Sequence, residues 1–160
     1  MFLHKNIVPK RKIPMNSFEA DLTWLLHRAA QRMRAAMEAE SVRLGLDLRD
    51  YLVLTALETR PGMTQLQLGQ AIGIDKTTMT TVLDRLEEGR LLARQPSPTD
   101  RRARIPVSTD SGKAIQKKIA RSITGVEEAM LSAFSQRDRK QFRAMLTFLI
   151  GDEVIAGSCL

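Results

Sequence analysis

The stretch TQLQLGQAIGIDKTTMTTVLDRLEEG, Thr64–Gly89, decides the reading of this chain. It holds two short amphipathic segments that meet at a glycine. Thr64 is placed to cap the first, along which Leu66, Leu68, Ala71 and Ile72 are expected to turn inward, and Gly73 closes it. Asp75 caps the second, which runs to about Glu88 and ends at Gly89. Two short helices joined by a tight glycine-containing turn form a helix-turn-helix, whose second helix enters the major groove of DNA.

The faces of that second helix follow from about 100° of rotation per residue. Met79, Val82, Leu83 and Leu86 fall together and are expected in the core. Lys76, Thr77, Thr78, Thr80 and Thr81 make an exposed first half, with Arg85 on the same flank as Thr78. Threonine is a mediocre helix former, so four in five positions is unusual for a surface with no task. Its hydroxyl meets base edges and phosphates, and its methyl meets the thymine methyl. The exposed second half (Asp84, Glu87, Glu88) is acidic and should point away from phosphate. That polarity suits insertion by the N-terminal end, where the helix dipole favours an anion. The alternative is an ordinary amphipathic helix with a solvated threonine face.

Next comes a hairpin. Leu91–Gln95 reads as a strand, 96–100 as a loop and Arg102–Ser108 as the returning strand, an edge because Pro106 lacks a backbone donor. Arg101, Arg102 and Arg104 crowd its tip, and Asp100 is placed to accept from Arg102 and shape it. Guanidinium groups suit a narrow, electronegative minor groove. Standing alone, this tip reads equally well as a solvated charged turn. Directly after a helix-turn-helix it reads as a wing.

Long helices flank this middle. The first is expected from Ser17, as cap, to Leu44, with Phe18, Leu22, Leu25, Leu26, Ala29, Met33 and Met37 in one apolar stripe and Gly45 as its stop. A helix from about Asp47 turns Leu48, Tyr51, Leu52, Leu54 and Leu57 inward and ends before Pro61-Gly62. Thr109 starts another, with Ile115, Ile119, Ile123, Val126 and Met130 on one face; the last spans about Ser135 to Ile150, with Phe142, Met145, Leu146 and Leu149. The terminal stripes exceed what the small middle can bury, so they need each other or a second chain.

Composition agrees with a mainly α chain carrying a small β-hairpin. The 160 residues are 43% hydrophobic but only 4% aromatic, a core of Leu, Ile, Val, Met and Ala. The net charge of +7 points to a polyanion, nucleic acid or an anionic membrane surface. One cysteine, Cys159, cannot pair within the chain and suits a reducing, cytoplasmic setting. His4 and His27 are the only histidines, and no metal-ligand spacing occurs, so neither metal nor cofactor is expected. No Ser/His/Asp set, phosphate loop or paired catalytic carboxylate stands out, which argues against an enzyme. No stretch reaches the roughly 18 apolar residues that span a bilayer, and the start is too short in apolar residues for a secretory signal.

The chain resembles the MarR family of multiple antibiotic resistance regulators over about Ser17 to Ile150. The stretches that carry the resemblance are Thr64 to Ile74, Thr78 to Leu92 and, most specifically, Pro98-Thr-Asp-Arg-Arg-Ala-Arg followed by Thr109-Asp-Ser-Gly, whose Asp-x-Arg is Asp100 and Arg102. Ser108 departs from the pattern, standing where an apolar residue is common. The cysteine of the oxidation-sensing branch also has no counterpart in the dimer region. The resemblance implies a homodimer held by first and last helices, two winged domains on a pseudo-palindromic DNA operator, and a pocket between dimerisation and DNA-binding regions for a small effector.

The expected organisation is a flexible basic arm (1–16), an N-terminal dimerisation helix (17–45), a winged helix-turn-helix domain (46–109), C-terminal dimerisation helices (110–151) and a tail (152–160). The expected function is that of a dimeric transcription repressor released from its operator by a ligand; the competing reading is a winged-helix module that contacts protein. Thr64 and Gln65 are expected to hold phosphate, Lys76, Thr77, Thr78, Thr80, Thr81 and Arg85 to face the major groove, and Asp100, Arg101, Arg102 and Arg104 to form the wing contact. Trp24, His27, Arg28 and Tyr51 mark the neighbourhood where relatives place the effector, and an aromatic beside a cation suits an aromatic acid. The competing assignment puts Trp24 in a dimer core and pairs Arg28 with an acidic neighbour.

Overall fold

A computed structural model describes residue 14 and residues 18–97 and 104–151. The first α-helix starts later than the apolar stripe suggests. Phe18–Ala20 form a single 3-10 turn, and α1 is Leu22–Arg43. Its cap is Asp21, whose carboxylate accepts from the Trp24 amide at 3.0 Å, while the expected cap, Ser17, lies outside the described residues. Gly45, at φ +90°, reverses the chain. Asp47 then opens α2 (Leu48–Thr59) with a reciprocal cap, exchanging bonds with Asp50.

The helix-turn-helix forms as the spacing dictates. Thr64 and Gln67 make a capping box for α3 (Gln65–Ile72), Gly73 closes it in the left-handed conformation at φ +67°, and Asp75 caps α4 (Lys76–Glu88). Leu66 is a correction: it is 67% exposed. It lies about 200° around the helix from Leu68, which takes the buried position. Gly89 ends α4, but the left-handed residue of that turn is Arg90, at φ +56°.

The hairpin is β1 (Leu92–Pro96) and β2 (Arg104–Ser108), antiparallel, with Leu92 opposite Ser108 and Arg94 opposite Pro106. In a two-stranded ribbon both strands are edges, so the missing Pro106 donor costs no ladder bond in a sheet interior. From its base rises α5 (Asp110–Met130), then α6 (Gln136–Ile150). The Thr109 hydroxyl donates to the Arg90 carbonyl at 2.8 Å and the Thr109 amide to the Leu91 carbonyl at 3.0 Å. Gly112 is required there, because a Cβ would come within 2.0 Å of the Leu91 carbonyl oxygen.

One core fills the winged domain, built on Val53, Leu54, Leu57, Leu68, Met79, Leu83, Leu86 and Leu92. Each such side chain contributes about 1.5–3 kcal/mol by leaving water. A second cluster, Leu48, Tyr51, Ile119 and Ile123 with Met37 against it, joins α1, α2 and α5. The joint is also polar: Ser122 donates to Glu40 at 2.5 Å, and Arg43 pairs with the same carboxylate at 2.6 Å. These two partners, Ser122 foremost, lower the Glu40 pKa.

Both ends leave apolar surface uncovered. On the first helix Leu22, Leu25 and Leu26 are exposed; on α6 no residue is buried, and Phe142, Met145, Phe148 and Leu149 stand open. Phe134, Phe142, Met145 and Leu131 line a hollow of about 420 Å³ beside α6. No helix among the described residues is long and apolar enough to cross a membrane.

Candidate nucleic-acid interface

The threonine face is built as the helical rotation requires. Met79, Val82, Leu83 and Leu86 are buried, which turns Lys76, Thr77, Thr80 and Thr81 outward and leaves Thr78 half-buried. The hydroxyls, however, are largely spent within the protein. Thr78 donates to the Asp75 carboxylate at 2.6 Å, Thr80 to the Lys76 carbonyl at 2.9 Å and Thr81 to the Thr77 carbonyl at 3.2 Å. A hydroxyl has one proton, so toward a ligand these three offer lone pairs and methyl groups instead of a donor. Lys76 and Thr77 lead the helix as exposed residues and supply donors at its tip. The bonds from Thr78 also hold the Asp75 carboxyl below its usual range.

The neighbouring helix is tied to this face. Gln65 donates to the Thr80 hydroxyl at 2.7 Å, locking the start of α3 against the recognition helix. Thr64 donates to the Gln67 side chain at 3.1 Å and accepts from the Gln67 amide at 3.3 Å. Both residues expected at phosphate therefore have an internal task first.

Arg85 is engaged as well. Its guanidinium contacts Asp50 and Asp47 at 2.5 Å each, clamping α4 to the first turn of α2. Asp50 is 2% exposed, and burial raises its pKa despite the opposing bond from Arg85. No local pattern predicts this clamp, since its partners lie 35 and 38 residues apart.

The acidic half of α4 has a use the sequence reading missed. Arg94 of β1 pairs with Asp84 at 2.6 Å and also with Glu87, so the wing is strapped to the recognition helix. The only cue was an arginine in a strand that faces two carboxylates one helical turn apart. Arg104 is exposed at the start of β2, opposite Pro96. Asp100, Arg101 and Arg102 lie outside the described residues. At the wing base Ser108 is 7% exposed, and its hydroxyl has no hydrogen-bond partner among the described residues.

The four residues suggested for an effector do not converge within one chain. Trp24 is half-buried with its ring edge-on to Phe18 at 5.7 Å, His27 is exposed, and Arg28 donates to Gln31 at 2.8 Å rather than to an acid. Tyr51 is buried in the second cluster, against Met37. Met37 lies 13 residues along α1 from Trp24, about 20 Å of helix.

Comparison with known proteins agrees with this architecture. A family model described as MarR family matches residues 44–103. The HTH-type transcriptional repressor Rv2887 of Mycobacterium tuberculosis is 27% identical over 134 residues, 84% of this chain and 96% of that one. Its structure in complex with salicylic acid superposes with a TM-score of 0.70 at 26% identity, covering 82% of this chain and 98% of that chain. The transcriptional repressor CouR of Rhodococcus jostii RHA1, solved on a 23-mer DNA duplex, superposes with a TM-score of 0.77 at 25% identity, covering 88% of this chain and 99% of that chain. A helix-turn-helix, a strapped hairpin and long helices at both ends give this chain the fold of those structures, and its likeness to the MarR family model covers residues 44–103.

Proposed function

We propose that the chain is a dimeric, sequence-specific DNA-binding transcription repressor, released from a pseudo-palindromic operator by a small ligand. One observation carries the reading: α4, whose start exposes Lys76, Thr77 and Thr81, is tied to α2 by the Arg85 pairs and to the wing by the Arg94 pairs. Rigid presentation of a helix tip is what base reading needs, because base contacts tolerate little misplacement. The wing residues Arg101, Arg102 and Arg104 act in the minor groove, with Asp100 shaping the tip. The open apolar faces of α1 and α6 supply the dimer contact, which spaces the two recognition helices about one DNA turn, or 34 Å, apart.

The ligand reading draws on the salicylic acid complex of Rv2887. An aromatic acid is the effector class proposed here. Because Trp24 and Tyr51 are apart within one chain, a pocket containing both requires α1 of a second copy.

A gel-shift series on the upstream region of the protein's own gene tests the core of the proposal. Tight, salt-sensitive binding to one duplex and weak binding to scrambled duplexes is expected. Equal weak binding to all of them favours the protein-contacting alternative. A thermal-shift screen with aromatic acids tests the effector class, and no stabilisation by any of them removes it.

A further inference from the structure

The first turn of α2 stands beside the recognition helix. Asp47 and Arg49 from one side and Thr77, Thr78 and Thr81 from the other line a crevice of about 210 Å³. Its charges are unequally committed. Arg85, which also lines it, is held by Asp47 and Asp50. Two of the amides that open α2 are taken too: Leu48 donates to Glu38 at 3.2 Å and Asp50 to Asp47 at 2.9 Å. Arg49 is different. It is exposed, and its side chain makes no hydrogen bond or ion pair with another described residue.

We propose that Arg49 grips a phosphate of the DNA strand bordering the bases that Lys76–Thr81 read, and so sets the register of the recognition helix. The inference rests on the DNA-binding reading above. A guanidinium presents several donors in a plane, which matches a phosphate, and backbone contacts of this kind fix orientation without reading sequence. The Thr77, Thr78 and Thr81 wall supplies no competing carboxylate, and on the opposite wall Asp47 is turned to Arg85, which it shares with Asp50. A phosphate at the crevice mouth meets one uncommitted cation at a fixed place relative to the reading face.

The test uses the full chain and fluorescence anisotropy on two duplexes, the gene's own upstream region and a random sequence of equal length, between 50 and 200 mM salt. R49Q should weaken binding to both by a similar factor, about tenfold. The slope of log affinity against log salt should flatten by about 0.9 for each protomer. R49K, which keeps the charge, should retain most of the slope. R49Q indistinguishable from wild type overturns the inference. So does a loss confined to the upstream duplex with an unchanged slope, which would mark base reading. Wild-type protein that binds both duplexes equally weakly overturns the DNA-binding reading and this inference with it. Arg49 is exposed, so R49Q should melt with the wild type; if it melts lower, the salt slope still decides, since it does not depend on the active fraction.

Discussion

Arg85 sits half in solvent between two carboxylates, one of them buried. Removing it leaves Asp50 charged in a place that water does not reach. R85A should lose about 2 kcal/mol of stability at neutral pH, a figure kept low because Arg85 itself is half-exposed. The pH dependence has a definite sign. Burial already raises the Asp50 pKa, and loss of Arg85 raises it further. Above the ordinary carboxylate value the unfolded chain has released a proton that the folded one keeps, so stability falls as pH rises through that window. The R85A deficit should therefore shrink toward pH 5, read by urea unfolding at pH 5 and 7.5; equal deficits would contradict the assignment. Ser108 poses the opposite case. Its buried hydroxyl lacks a partner among the described residues, so S108A should stabilise the protein by about 1 kcal/mol, measured by the same denaturation. A destabilised S108A would mean that the hydroxyl has a partner after all.

At the scale of elements, the wing is coupled to the recognition helix through Arg94. Exposed ion pairs contribute little to stability, typically under about 1 kcal/mol, and both acids here are more than a third exposed. The expected consequence is positional. R94Q should melt close to wild type yet bind its operator less tightly, because β1 loses its ion pairs to α4 and of these links keeps only the amide bond of residue 94 to Glu87. Anisotropy beside a thermal melt separates the two effects. Full affinity in R94Q would show that the contacts it keeps, the amide bond of residue 94 to Glu87, buried Leu92 and the two Thr109 bonds, hold the wing in place. The helices themselves were legible, because caps and 3.6-residue periodicity are local: Asp75, Gly73 and the Met79–Leu86 face emerged where expected. Leu66 and the start of α1 differ from the periodic expectation for a local reason too. An apolar residue need not lie on the buried arc of an eight-residue helix, and a nearer carboxylate, Asp21, captured the cap.

For the whole molecule, one chain is incomplete as a packed object. Phe148, on the helix that buries nothing, is 84% exposed, with Phe142, Met145 and Leu149 open on the same helix and Leu22, Leu25 and Leu26 open on α1. Such surface is a protein-protein contact until shown otherwise. A double variant, F142E with F148E, should sediment as a monomer and lose operator binding even with the reading face intact. The wild-type melting temperature should rise with protein concentration, as it does for a folded state stabilised by association. A wild-type protein that sediments as a monomer at micromolar concentration would remove the dimer from the proposed function.

The helix-turn-helix, its reading face and the hairpin were determined by sequence alone, since each depends on residues within a few positions of one another. The exposure of Lys76, Thr77, Thr80 and Thr81 at the start of α4 follows from that rotation. Tertiary structure decided which of its groups remain available. Arg85 meets Asp50, Arg94 meets Asp84, Gln65 meets Thr80, and the Arg49 side chain makes no hydrogen bond or ion pair with another described residue. Those outcomes depend on pairings between residues distant in the chain, and on how few protons a hydroxyl or a guanidinium has to share. Gly112 shows both levels at once: it belongs to the stretch that carries the family resemblance, but only the 2.0 Å approach to the Leu91 carbonyl explains why no side chain fits there.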